Sequence, residues 1–324
     1  MRIKLQVAGC RLQVSRRNRA ARKTFNLQPS TFNPEAPGFS LVEILVVVSL
    51  MSLIVLALMA VFSSTQRAFR AAVTQTDVLE GSRATMELMA SDLRSLTPSY
   101  GRAYYGAVNF MVTNNASYSQ PLVQPLPPGG VSRSNLLQQV FILNHQNNGW
   151  WGVGYAVTTN SSGNLYSLYR LQYPPAPGTT DPATIFTNQV FQNFFLDPTN
   201  GGSHLLDGVV HFVIRAYDPT GTWIPYGFVN AQTNFLKQTW FFTYPLVGGE
   251  AGFAMYSNDV PASLELELGV LEDRALARAR LLPNDVPAPP PNDRRTLYLQ
   301  GLSGNVHLFR QRVTISNVDP SAYQ

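Results

Sequence analysis

One carboxylate, Glu43, stands at the start of an unbroken apolar run from Ile44 to Phe62. Those 19 residues hold no charge, and only Ser49 and Ser52 among them are polar. A carboxylate at a membrane edge is costly unless a cation meets it, so Glu43 is a candidate for a charge-assisted contact that fixes the register of an assembly. It also has a local use. Ser40-x-x-Glu43 fits the capping box, in which each side chain satisfies an orphan amide at a helix start. Gly38 and Phe39 precede this pair, at the boundary between a polar segment and the apolar run.

The remaining residue types that could do chemistry are scattered. His145, His204, His211 and His307 form no ligand-spaced pair, and all four are expected to be structural or surface residues. His204 and His211 are seven apart, which on one strand directs them to opposite faces. Asp197-Pro198-Thr199-Asn200-Gly201-Gly202, with Asp207, has oxygen ligands near glycines but lacks the alternating acidic spacing of a calcium loop, so a turn is expected. Cys10 is the lone cysteine, so residues after it offer no thiolate site or disulfide. Nucleophile elbow, phosphate loop and zinc-protease motifs are absent from the sequence. No catalytic residue, metal or cofactor is therefore expected. Trp150-Trp151 and Trp240-Phe241-Phe242 are either buried β core or a face for carbohydrate or a partner subunit.

The element that must position Glu43 is a helix. At about 1.5 Å per residue the apolar run spans about 28 Å, close to one hydrocarbon core. Residues 1–38 carry eight basic side chains and Glu35 alone, a net charge of +7, while the remainder carries −2. The sequence pI of 9.4 thus reflects a basic leader and not a nucleic-acid face. Positive charge before the run places the N-terminus in the cytoplasm and the rest across the membrane. A secretory signal puts its apolar core before a small-residue cleavage site; here the order is reversed, so cleavage at Gly38 keeps the apolar helix on the mature chain.

This order, with Gly38-Phe39-Ser40-Leu41-Val42-Glu43 and the spanning run, resembles the N-terminus of type IV prepilins and type II secretion minor pseudopilins. Pro37 and the length of the leader depart from the family pattern. The resemblance implies cleavage after Gly38 by a prepilin peptidase/methyltransferase and N-methylation of Phe39. It also implies pairing of Glu43 with an N-terminal amine during assembly. Ala84–Arg94, Val209–Asp218 and Val260–Leu268 resemble segments of J-type pseudopilins, the first also of W-type minor pilins. This implies a non-enzymatic subunit of a type II secretion-like pseudopilus in the bacterial inner membrane, with a periplasmic domain, among other (pseudo)pilins near the fibre tip. The alternatives are a minor type IV pilin for adhesion, DNA uptake or motility, and, in another class, a membrane-anchored extracytoplasmic binding protein or enzyme.

The expected fold is α+β and pilin-like, with a long N-terminal helix packed on an antiparallel β-sheet domain. Phe69, Val73, Thr76, Leu79, Met86, Met89 (or Ala90), Leu93 and Leu96 follow helical steps, so the helix is expected over 41–96, with Thr97-Pro98 as its stop. The organisation expected is a 1–38 leader, a 39–62 transmembrane and polymerisation helix, an amphipathic continuation at 63–96, a β-rich domain at 97–282, a Pro-rich linker at 283–293 and C-terminal strands at 294–324. Strands are expected at Tyr104–Val112, Leu137–Leu143, Trp150–Val157, Leu165–Leu171, Val209–Tyr217, Thr239–Tyr244, Ser263–Leu268, Thr296–Gln300 and Val306–Ile315. Asn160–Asn164 reads as a hairpin loop, Pro121–Gly130 as an extended surface loop, Ile185–Leu196 as strand or short helix, and Leu271–Leu281 as helix. Alternation of Leu264, Leu266 and Leu268 with Glu265 and Glu267 predicts a buried face and a wet one.

Overall fold

The computed structural model describes residues 39–100, 107–114, 122–126, 130–146, 149–158, 165–173, 181–224, 239–241, 250, 252–282 and 294–323, with backbone alone at 71, 74, 75 and 239–241. The fold is α+β: a long N-terminal apolar helix and a large antiparallel sheet. The chain divides into two units, residues 1–62 and 63–324. Gly38 and the expected leader, the expected hairpin loop at Asn160–Asn164 and the expected Pro-rich linker at 283–293 lie outside the described residues.

Helix α1 runs from Leu41 to Arg94, 54 residues, or about 81 Å. Leu41–Phe62 is exposed throughout. Among the described side chains of α1, burial begins at Val78 and continues through Ser82, Met86, Met89, Ala90 and Leu93. Phe69 and Val73, expected within the buried stripe, are exposed, so apolar periodicity outruns the packed interface by about two turns. The helix ends two residues earlier than expected, because the Thr97 amide donates to the Leu143 carbonyl and turns the chain onto the sheet.

Along the chain follow β1 (Val108–Asn114), β2 (Leu122–Leu126), β3 (Val131–Asn135), β4 (Gln138–Gln146), β5 (Gly149–Val157) and β6 (Tyr166–Tyr173). Then come helices α2 (Ala183–Phe186) and α3 (Gln189–Leu196), and strands β7 (Ser203–Tyr217), β8 (Thr239–Phe241), β9 (Phe253–Tyr256) and β10 (Ser263–Leu271). Helices α4 (Asp273–Leu281) and α5 (Arg294–Gln300) and strand β11 (Val306–Thr314) complete it. Nine strands form one sheet in the order β11-β10-β7-β6-β5-β4-β1-β9-β8, and β2 pairs with β3 in a separate hairpin.

Each face of the sheet is covered. Val140, Ile142, Val153, Leu168, Phe212, Ile214, Leu264, Leu266 and Leu268 share one cluster with Met86, Met89 and Leu93 of α1. On the other face, Phe141, Leu143 and Leu171 pack with Ile185, Phe191 and Phe194 of α2 and α3. Gly152 of β5 permits that approach: a Cβ there would lie 2.6 Å from the Phe191 ring. Asn188 caps α3 by accepting from the Val190 amide, which settles the Ile185–Leu196 ambiguity as two short helices.

Three expectations change. Thr296–Gln300 is part of a helix, not a strand: Arg295, Thr296 and Leu299 are its buried residues, a helical spacing that the short Thr-Leu-Tyr-Leu alternation imitates with period 2. Pro121–Gly130 is not simply a loop, because Leu122–Leu126 pairs with Val131–Asn135. Pro125 is tolerated there because a two-stranded ribbon is all edge. The Glu face of β10 is not wet: Glu267 is 4% exposed and lies under the segment joining β3 to β4. Elsewhere the strand bounds shift by a few residues, and β7 begins six residues earlier than expected, at Ser203.

Candidate functional site: the capped helix and the polar clusters of the domain

At the start of α1, the Ser40 amide donates to Glu43 Oε2 at 3.0 Å, and the Glu43 amide donates to Ser40 Oγ at 3.4 Å. Two orphan donors of the first turn are thereby satisfied. Phe39, just before the cap, is 83% exposed. Leu41–Arg70 is long and apolar enough to cross a membrane, with a mean hydropathy of 3.0 in its most apolar window and none of that window buried. Its two apolar-run serines leave no polar group unsatisfied. Ser49 Oγ donates to the Val46 carbonyl and Ser52 Oγ to the Val48 carbonyl, each at 2.8 Å.

The second half of α1 is held by a polar clamp. Asp92 accepts from Arg170 Nε at 2.8 Å and Nη2 at 2.9 Å, and from the Tyr155 hydroxyl. Burial raises the Tyr155 pKa, and the Asp92 charge and hydrogen bond raise it further, so Tyr155 stays a neutral donor. Burial opposes the Arg170 charge, but the Asp92 hydrogen bond and charge outweigh it and raise its pKa. None of these three residues was singled out from the sequence. The available signal was an acid one helical step from Met89 and next to Leu93, facing a sheet strand that carries a lone Arg.

A second cluster occupies the opposite face of the sheet. Arg215 on β7 contacts Glu250 at 2.6 Å, Glu265 at 3.3 Å and Glu267 at 2.7 Å. Arg310 on β11 also reaches Glu267 and lies 3.5 Å from Glu265. The Leu136 amide donates to His211 Nδ1 at 3.2 Å, so a neutral His211 carries its proton on Nε2, 3.3 Å from Glu267 Oε2. Burial pushes Glu267 up, but hydrogen bonds from His211 and Arg215 and the charges of Arg215 and Arg310 prevail and hold it at about 2. Burial leaves Glu250 raised. The signal for this cluster was a basic residue interrupting β7 opposite alternating acids on β10.

These shifts carry a pH prediction. A carboxyl lowered to about 2 on folding stabilises the fold above its ordinary value of 4.5, and that contribution is lost as pH falls toward 2. Glu250, raised by folding, acts with the opposite sign and returns part of the loss. Denaturant unfolding followed by circular dichroism is expected to show about 1–3 kcal/mol lost to this cluster between roughly pH 5 and pH 2. Glu267→Gln should flatten that slope; an unchanged slope would refute the assignment.

The other sequence candidates separate. The Asp197 carboxylate accepts from the Thr199 amide at 3.1 Å and hydroxyl at 2.7 Å, an Asx turn, while Asp207 lies in a different cluster. His145 packs on Trp150, ring centroids 4.6 Å apart, and His307 lies 3.3 Å from Glu272. His204, half exposed, pairs with Asp207 at 2.9 Å. Trp150 is half-buried against the α2–α3 cluster. The side chains of Trp240 and Phe241, and all of Phe242, lie outside the described residues. Among the described residues no group of three or more His, Cys, Asp or Glu is placed to hold a metal ion. Comparison with protein-family models, curated proteins and solved structures yields no match.

Proposed function

We propose that the protein is a non-enzymatic minor pseudopilin-like subunit of a type II secretion-like pseudopilus. In this reading a prepilin peptidase cuts after Gly38 on the cytoplasmic side and methylates Phe39. The domain that follows α1 is periplasmic, and the subunit joins other (pseudo)pilins through residues 39–62. The observation that supports it is the exposed apolar stretch of α1 with one capped carboxylate at its start. Burying a Leu-sized side chain is worth about 1.5–3 kcal/mol, so such a stretch belongs in lipid or among like helices. An anchor needs only the apolar length. A carboxylate held at the first turn adds a directional contact that a neighbouring subunit's new N-terminal amine would complete.

Intact-mass and N-terminal peptide mass spectrometry of the membrane-extracted protein tests the reading. The expected N-terminus is Phe39 bearing one methyl group. Retention of residues 1–38 would overturn it.

A further inference from the structure

Strand β11 ends the nine-stranded sheet, so only one of its two edges is paired. Its register with β10 says which backbone groups are left over. The Ile315 amide donates to the Ala262 carbonyl, and at the other end the Glu272 amide donates to the Asn305 carbonyl. These bonds continue the β10–β11 register at its two ends, and hydrogen-bonded pairs recur at every second position of an antiparallel ladder. His307, Phe309, Gln311 and Val313 therefore bond to β10. Val306, Leu308, Arg310, Arg312 and Thr314 turn their amides and carbonyls to the open edge, where no described residue bonds to them.

Native sheets blunt such an edge with a bulge, a proline or a very short strand. β11 has nine residues, about 30 Å, with no proline among them, and its register with β10 carries no shift. The groups along the edge are also accessible. Leu308 is 42% exposed, the Arg310 side chain is 60% exposed, and Arg312 and Thr314 are exposed as well.

The side chains beside the edge define what it accepts. Leu308, Arg310 and Arg312 share one face of β11, while Phe309 and Val313, on the other face, join the core cluster that includes Met89 and Leu93 of α1. Arg310 is paired with Glu267. Arg312 has no carboxylate partner among the described residues: its Nε and Nη2 donate to Ser263 Oγ at 3.1 and 2.9 Å, and its guanidinium lies 4.7 Å from the centre of the Tyr217 ring. On its inner edge β11 already shows its complement. Glu265-Leu266-Glu267-Leu268 of β10 stands opposite Arg312-Gln311-Arg310-Phe309. A second copy fits less well. Self-pairing with full overlap sets Arg310 against the same residue of the other copy, and like charges directly opposite destabilise a strand pair. The far edge of the sheet, β8, has three residues, too short to complement β11 from another copy.

We propose that the open edge of β11 takes up an extended strand of a different protein chain, laid antiparallel, with acidic residues facing Arg312 and Arg310 and an apolar residue facing Phe309. Backbone hydrogen bonds supply the affinity of such strand addition, and alternate side chains supply its specificity. The edge uses no residue of the 39–62 stretch, so it stands or falls apart from the pseudopilin-like reading.

The probe is a fluorescein-labelled, amidated peptide, Ser-Thr-Glu-Leu-Glu-Leu-Val, titrated by fluorescence polarisation with the full-length chain in detergent micelles. It is expected to bind with a Kd of about 100 μM or tighter. N-methylation of the two Glu amides, which face β11, should weaken binding at least about tenfold, while N-methylation of the two Leu amides, which face away, should change it less than about twofold. Exchanging both Glu for Lys should weaken it at least about tenfold, and Arg312→Gln in the protein severalfold. Leu308→Pro removes an open-edge amide that β10 does not use, so the variant should keep a melting temperature near the parent's and lose at least about tenfold in affinity. The peptide series is read on the unaltered chain and decides the matter even where Leu308→Pro does not fold. Absence of binding up to about 1 mM, or equal affinity for the Glu-methylated or the Lys peptide, would overturn the proposal. Self-association of the chain that Leu308→Pro abolishes would assign the edge to a second copy and overturn it too.

Discussion

Asp92→Ala should destabilise the domain by about 3–5 kcal/mol, the penalty for leaving one partner of a buried ion pair uncompensated. Asp92 is the acceptor for two Arg170 donors and for the Tyr155 hydroxyl, and the Asp92 and Arg170 side chains are 12% and 16% exposed. The substitution strands a guanidinium against the buried Val153–Leu168 core. The larger consequence is for helix seating. Met86, Met89 and Leu93 pack by apolar contact, which is less directional than a charged hydrogen bond. Asp92, together with the Thr97 amide on the Leu143 carbonyl, distinguishes the correct turn. Denaturant unfolding is expected to give the full loss for Asp92→Ala. The double variant Asp92→Leu/Arg170→Met should recover most of it, since an apolar replacement of a whole pair is often neutral. A loss below about 1 kcal/mol in the single variant would mean that water reaches the pair and that it holds nothing.

If the protein is the pseudopilin-like subunit proposed, Glu43→Gln should block fibre assembly as completely as Glu43→Ala while both variants insert in the membrane normally. The capping geometry is what makes this pair informative. Glutamine can replace glutamate in a capping box, so Glu43→Gln retains an acceptor for the Ser40 amide and removes only the charge. Alanine removes both. A charge-assisted hydrogen bond is worth about 1.5–3 kcal/mol, which is on the order of 10- to 100-fold in each subunit-addition step and compounds along a fibre. Ser40→Ala is the complementary control. It should cost about 1 kcal/mol of helix-start stability and leave assembly intact. The measurement is fibre yield by shearing and electron microscopy, with membrane fractionation beside it. Normal fibres from Glu43→Gln would reduce Glu43 to a capping residue and remove the register role.

Two of the domain's polar clusters share one design. Each puts an arginine on a central strand and acids on neighbouring elements, and each lies on a different face of the sheet. Together with the hairpin atop the second cluster, they convert an otherwise apolar sandwich into one with a specified alignment of its covering layers. The Gln124 amide adds to this by donating to the Leu299 carbonyl at 2.8 Å, which fixes α5 on the hairpin.

The sequence by itself determined the features whose cause is local in the chain. The apolar length from Ile44 to Phe62, the Ser40-x-x-Glu43 spacing and the Leu/Glu alternation of β10 each depend on residues a few positions apart. A helix and strands follow from such spacing without reference to anything else. What only the tertiary structure decided is where each pattern stops mattering. The stripe of α1 continues through Phe69 and Val73, but among the described side chains burial starts at Val78. Glu267 lies on the polar face of an alternating strand, yet the β3–β4 segment covers it, 131 residues away at Leu136. Thr296–Gln300 alternates like a strand and folds as a helix because Leu299 packs against Ala275, Leu276 and Ala279. The same holds for Asp92 with Arg170, which come from separate elements. Burial and charge pairing are set by contacts distant in sequence, which one-dimensional periodicity does not encode.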